Sequence, residues 1–232
     1  MRIILDQSVN NDNIPVIYPQ INLINANLVA GYDMRSNLDF SGNRNHFTFG
    51  GTFNSQGAVL TPDAISRIDT PVMDSAGLTV VICANVPSAA DPGIILSNAQ
   101  TGPTQGFEVR KLANSTNAQL QIAITNGSGF TSGSYSFAGW RMNIFTLSSS
   151  ELKASNGAGS QTTLSFGGAR RLGLAPWRMN GNPVGAGAAG ITAGVTGTLG
   201  MALFYNKVYT QAELVPIAES VRQVMALRGV AV

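Results

Sequence analysis

Charge is what this chain has least of. Asp, Glu, Lys and Arg make up 11% of its 232 residues, against about 25% in an average soluble domain. Hydrophobic residues stand at an ordinary 44%, so Gly, Ser, Thr and Asn have taken the place of charge. That mixture excludes intrinsic disorder, which needs low hydrophobicity with high net charge. It suits short strands with neutral polar outer faces, joined by many turns. The formal net charge is +2, with Arg170-Arg171 a basic pair; a nucleic-acid partner would need a basic stripe with interleaved aromatics. No apolar run approaches the ~20 residues of a membrane-spanning helix, so no membrane partner is expected. Cys83 is the sole cysteine, which excludes an intrachain disulfide and a thiolate metal site. It lies within the apolar run Leu78–Ala84 and is read as a small buried hydrophobe. The apolar run before Asp6 is Ile3, Ile4 and Leu5, too short for the ~7–15 apolar residues of a secretory leader.

Residues 1–27 read differently from the rest. Asn10-Asn-Asp-Asn13 is a loop, and Pro15 and Pro19 hold the following stretch extended. This segment is either an arm that docks on a neighbour or an edge of the same domain. From Leu28 onward, short apolar runs alternate with turns: Leu28–Asp33, Phe47–Phe49, Ala58–Leu60, Ile65–Thr70, Leu78–Val86, Ile94–Ser97, Phe107–Arg110, Leu120–Thr125, Tyr135–Phe137, Trp140–Leu147, Thr162–Phe166, Leu172–Leu174 and Leu199–Tyr205. Leu78–Val86 is nearly all apolar and reads as a buried strand. Trp140–Leu147 is apolar on both faces and reads as a central one, with Trp140 in the core. There is no βα alternation, so the spacing predicts an all-β sandwich or jelly roll. One helix, at about 210–228, closes the chain. Thr210-Gln-Ala-Glu213 is a capping box, and Leu214, Ile217, Val221, Val224 and Met225 recur at helical spacing before Gly229. This stripe is expected to pack on the sandwich.

Four features appear in order. The opening strand carries Tyr32-Asp33 and is followed by the polar turn Asp39-Phe-Ser-Gly-Asn-Arg-Asn-His46. Ile68-Asp-Thr-Pro71 precedes Leu78-Thr-Val-Val81, and Gly139-Trp140 opens a central strand. Leu203-Phe-Tyr-Asn-Lys-Val-Tyr-Thr-Gln-Ala-Glu213 runs from a terminal strand into the capped helix. Together they resemble laminin-G-like (concanavalin A-like) sandwich domains of phage and bacterial surface proteins over residues 28–232. The resemblance implies a jelly roll of two antiparallel sheets with one C-terminal helix. Residues 181–198, rich in Gly and Ala, depart from its pattern, and residues 1–27 have no counterpart in it.

The same resemblance implies binding to carbohydrates, glycoproteins or other subunits, sometimes with calcium near a sandwich rim. Asp33, Asp39, Asn43 and Asn45 are the oxygen donors available to such an ion. They are few for a cation that takes six to eight oxygens, and the plain alternative is that they hydrogen-bond their own turn. For a sugar, Trp177 is the aromatic best placed to stack on a pyranose face, followed by Tyr135 and Phe130; the alternative for Trp177 is a plug over the core edge. Related glucanases carry E-x-D-x-x-E on one strand, which sets the two carboxyl groups about 5–5.5 Å apart. Here Glu108, Glu151, Glu213 and Glu219 are the only glutamates, and none lies two residues from an Asp. His46, the single histidine, sits in the turn beside no nucleophile motif.

The expectation is therefore a protein without enzymatic activity and without a required cofactor. An adhesive composition without leader or disulfides points to a virion or phage particle component, such as a capsid decoration, fibre or tail protein, held to other subunits or to copies of itself by residues 1–27. The alternative is a carbohydrate-binding module reading surface glycans, extracellular or at a cell surface.

Overall fold

In the computed structural model, residues 22–89, 91–101, 103–125, 130–157, 161–183 and 191–232 are described. The first strands are β1 (Leu28–Tyr32), β2 (Thr48–Phe49), β3 (Ala58–Leu60), β4 (Ile68–Asp69), β5 (Leu78–Val86) and β6 (Gly93–Ser97). A small hairpin of β7 (Gln100–Thr101) and β8 (Thr104–Gln105) follows. Next come β9 (Phe107–Lys111), β10 (Asn117–Ala123), β11 (Phe130–Ser136), β12 (Gly139–Leu147) and β13 (Glu151–Ser155). The chain ends with β14 (Gln161–Ser165), β15 (Arg178–Met179), β16 (Gly197–Tyr205) and the helix α1 (Gln211–Ala226).

Among the described residues these strands form two seven-stranded antiparallel sheets. The first runs β1-β16-β5-β12-β13-β14, and β3 pairs with the first residues of β16. The second runs β11-β10-β9-β6-β15-β4-β2. This is the predicted all-β jelly-roll sandwich.

Period-2 alternation explains how the layers close. One face of the first sheet meets the second sheet in a core that includes Val80, Ile82, Phe145, Phe204, Phe107 and Trp177. Its other face, with Val81, Cys83, Ile144, Met201 and Leu203, packs under Leu214, Ile217, Val221 and Met225 of α1. Strand β5 is thus buried on both faces, which is why its sequence is almost unbroken in apolar residues. Burial pushes the Cys83 thiol up to about 12, against a smaller opposing pull from Arg228, so it is held as a neutral thiol.

The helix begins as the sequence predicts. Thr210 Oγ1 accepts from the Glu213 N–H, and Glu213 returns the bond to the Thr210 N–H at 2.9 Å. Pro216 lies in the second turn, and the helix continues to Ala226.

Residues 22–27 are docked on the sandwich. Leu23 is fully buried against the α1 side of the first sheet, and Tyr205 Oη donates to its carbonyl at 3.0 Å. Residues 1–21, the rest of the expected arm, lie outside the described residues.

The strand predicted at Leu172–Leu174 is not formed. The Gly173 N–H donates to Asp74 instead of a ladder partner, and Leu174 is exposed.

Candidate functional site

The turn that singles out the sequence is a structural clip. Asp39 is buried, and its carboxylate accepts from the N–H groups of Gly31, Ser41 and Asn45, each at 2.9 Å, and from Ser41 Oγ at 2.7 Å. Asn43 and Asn45 donate their amide nitrogens back to carbonyls of β1, including Val29 O at 3.0 and 2.8 Å. The Asp39 N–H donates to His46 Nδ1 at 3.0 Å, which occupies the one acceptor nitrogen of the neutral ring. Burial, helped by the Asp39 charge, pushes the Tyr32 hydroxyl pKa upward, and Tyr32 Oη donates to the Asn45 carbonyl at 2.6 Å. Asp33 is spent elsewhere, in an ion pair with Arg35 at 3.1 Å. These residues do not fit calcium. Both Asp39 oxygens are saturated by protein donors, and Asp33 faces a guanidinium. No group of three or more His, Cys, Asp or Glu side chains able to hold a metal occurs among the described residues.

The three aromatics expected to meet a sugar are not brought together. Trp177 is fully buried in the inter-sheet core, its ring 6.0 Å from Phe107 and 6.1 Å from Phe204. It is the plug, and neither ring face is open to a ligand. Tyr135 points to the core side of β11 and meets Phe145 edge-on at 6.4 Å. Burial raises its pKa, while Arg141 pulls it back. Phe130 pairs with Ala123 at the other end of β11, on the opposite face of the sheet.

The second sheet carries a row of polar side chains on its outward face. Ser132, Gln121, Glu108, Ser97, Arg178, Asp69 and Thr48 are successive cross-strand partners. Its centre is closed: Glu108 and Ser97 are fully buried, and Asn182 bridges them, donating to Glu108 Oε2 at 3.2 Å and accepting from Ser97 Oγ at 2.7 Å. Arg178 is paired with Asp69.

An open site lies on the other sheet. Strand β12 pairs with β5 along its whole length, but β13 accompanies it only from Ile144 to Leu147. The edge of Gly139–Asn143 is therefore uncovered by β13, and side chains from both faces of β12 reach the space beside it. That space is a groove of about 460 Å³. Trp140 comes from the helix-facing side and Arg141 from the other, while Asn156, Arg222 and Val232 form the far wall. Trp140, expected in the core, is half-buried, with its inner edge near Gly200 of β16 and Met225 of α1. A Cβ on Gly200 would stand 3.0 Å from the indole and 2.5 Å from Met225, so glycine there lets the ring seat.

Both guanidiniums are fixed by backbone. Arg141 Nε donates to Ala138 O and Arg222 Nη2 to Asn156 O, each at 3.0 Å. Glu219 is the nearest acid to Arg222, at 3.9 Å, and Arg141 has no ion-pair partner among the described residues. The sequence signal for this site was the Gly139-Trp140-Arg141 run, whose tryptophan the alternation assigned to a fully packed face.

Several carboxylates hold the fold together: Asp39 and Asp33 as above, Asp74 with Arg170, Glu151 with Lys153 and Glu213 with Lys207.

No family model matches the chain, and no curated protein matches its sequence. Among solved structures it is similar to the botulinum neurotoxin serotype G binding domain (13% identity, TM-score 0.62, covering 83% of this chain and 51% of that one). It is also similar to the serotype D binding domain (10% identity, TM-score 0.63, 86% and 52%). A third is the binding domain of botulinum neurotoxin DC in complex with SialylT (8% identity, TM-score 0.62, 85% and 52%). The chain spans about half the length of these domains and shares their β-sandwich fold. Among the described residues no helix is long and apolar enough to cross a membrane.

Proposed function

We propose that this chain is a non-catalytic carbohydrate-binding module, working at an extracellular or cell surface, with the Trp140 groove as its sugar site. The observation that carries this reading is a half-buried tryptophan beside backbone-anchored arginines in a groove of about 460 Å³. An indole face supplies flat apolar area for the C–H side of a pyranose, and guanidinium N–H groups supply donors for ring substituents. The volume falls in the ~300–1,000 Å³ range of small-molecule sites. The similar structures are binding domains, one of them complexed with SialylT, which favours a recognition role over particle building. The engagement of carboxylates in clips and ion pairs favours binding over hydrolysis.

The test is a glycan array of neutral and acidic oligosaccharides, probed with the wild-type chain and with Trp140→Ala, both checked for folding by thermal melting. Binding by the wild type that Trp140→Ala abolishes is the expected result. Silence of the folded wild type across the array, or binding that Trp140→Ala leaves intact, sinks the assignment.

A further inference from the structure

We propose that the Trp140 groove selects acidic saccharides, whose carboxylate or sulfate is held by Arg141 with Arg222 adding its charge. This rests on the reading of the groove as a glycan site. A neutral sugar would be served by Asn, Gln and Ser, which this chain has in abundance. The groove instead gathers two of the fourteen Lys and Arg residues of a chain poor in charge, and among the described residues no Asp or Glu lines it.

The guanidiniums are also set up for an anion. Arg141 commits its Nε to Ala138 O at 3.0 Å, which fixes the plane of the group while its Nη1–Nη2 edge makes no bond to a described residue. That edge is the fork that matches two oxygens of a carboxylate or sulfate. Arg222 commits Nη2 to Asn156 O at 3.0 Å. Its contact with Glu219 is long, at 3.9 Å, and Glu219 is 59% exposed, so that acid neutralises it weakly. Both side chains are anchored before a ligand arrives, which reduces the ordering cost of binding. Trp140 beside them gives the sugar ring a surface, so neither an isolated anion nor an uncharged sugar uses the whole site.

The experiment titrates the full wild-type chain with sialyllactose and with trigalacturonate, and in parallel with lactose, followed by NMR of the Trp140 indole N–H and by calorimetry. At least one acidic probe is expected to shift the indole resonance and bind about tenfold or more tighter than lactose. Its affinity falls as salt rises from about 50 to about 500 mM, because the charges are near the surface. Arg141→Gln/Arg222→Gln removes that advantage, whereas Arg141→Lys/Arg222→Lys retains part of it. Should the glutamine variant misfold, the wild-type shifts and their salt dependence still decide. Equal binding of lactose and the acidic probes overturns the acidic class and leaves the glycan reading standing. Lack of any shift with all three probes, together with a silent array, removes both. Acidic binding that survives the glutamine changes, or that leaves the indole unmoved, places the anion elsewhere and overturns the inference.

Discussion

At the residue scale, the two tryptophans exchange the places that alternation and loop position assign them. Trp177 follows a proline in an apparent loop, yet it directly precedes β15, and Thr70 donates to its carbonyl through both N–H and Oγ1, at 3.2 and 2.7 Å. Those long-range bonds turn the indole inward, and nothing within several residues of position 177 announces them. Trp177→Ala is accordingly expected to cost about 3–5 kcal/mol, the range for emptying a large core aromatic site, measured by chemical denaturation. Trp140→Ala costs less, since its ring is only half-buried. Asn143 gives the opposite prediction. It is buried on the core side of β12, opposite Ile82 and beside Phe145, and neither amide atom has a hydrogen-bond partner. Asn143→Leu removes two unsatisfied polar atoms while keeping the branching and the heavy-atom count of the side chain, so stability rises by about 1 kcal/mol, read as a melting midpoint higher by about 2–4 °C.

At the element scale, what sequence could show was what neighbours in sequence decide. The helix was legible because its cap and its apolar stripe lie within a few residues of each other. Strand β5 was legible because burial on both faces leaves an almost unbroken apolar run. Strands β7, β8 and β15 have two residues each and carry no period, and β13, Glu-Leu-Lys-Ala-Ser, is too polar to stand out. The cap also has a measurable signature. Lys207 donates to Glu213 Oε1 at 2.6 Å, and that bond, followed by those from Thr210, holds the Glu213 carboxyl down at about 2. A depressed folded-state value means the contribution is complete above the ordinary 4.5 and fades as pH falls toward about 2. A carbon-detected titration of Glu213 should show a midpoint near 2; a midpoint near 4.5 would mean the lock is absent in solution. Elsewhere, a buried ion pair ties the loop before β5 to the loop before β15. Arg170 Nη1 meets both Asp74 oxygens at 2.9 Å, with side-chain exposures of 1% and 0%. Asp74→Asn strands a buried guanidinium, and the expected loss is about 3–5 kcal/mol, again by denaturation.

For the whole molecule, the question is where the cooperative unit starts. Composition sets residues 1–27 apart, because two prolines and a run of asparagines have no strand period. The contacts move that boundary. Leu23 is sealed in the layer between the first sheet and α1, Tyr205 donates to its carbonyl, and Tyr209 Oη reaches Asn25 Oδ1 at 3.1 Å. Tyr205 and Tyr209 stack edge-on at 5.3 Å, so residues 23–25 are braced by the end of β16 and by the approach to α1. Tyr205, Tyr209 and α1 all lie more than 180 residues from Leu23 in sequence, which is why local pattern could not reveal them. A detachable arm predicts that Leu23→Ala leaves unfolding unchanged. A segment belonging to the α1 layer predicts a loss of about 2–5 kcal/mol, as for any buried leucine truncated to alanine. The second outcome is expected, with one transition shared by near-ultraviolet and far-ultraviolet circular dichroism. The groove beside β12 borders the same α1 layer, through Met142 and Arg222. Loosening that layer at Leu23 should therefore leave the proposed glycan binding intact until the shared transition begins, and binding lost well below it would mean that α1 detaches before the sheets do.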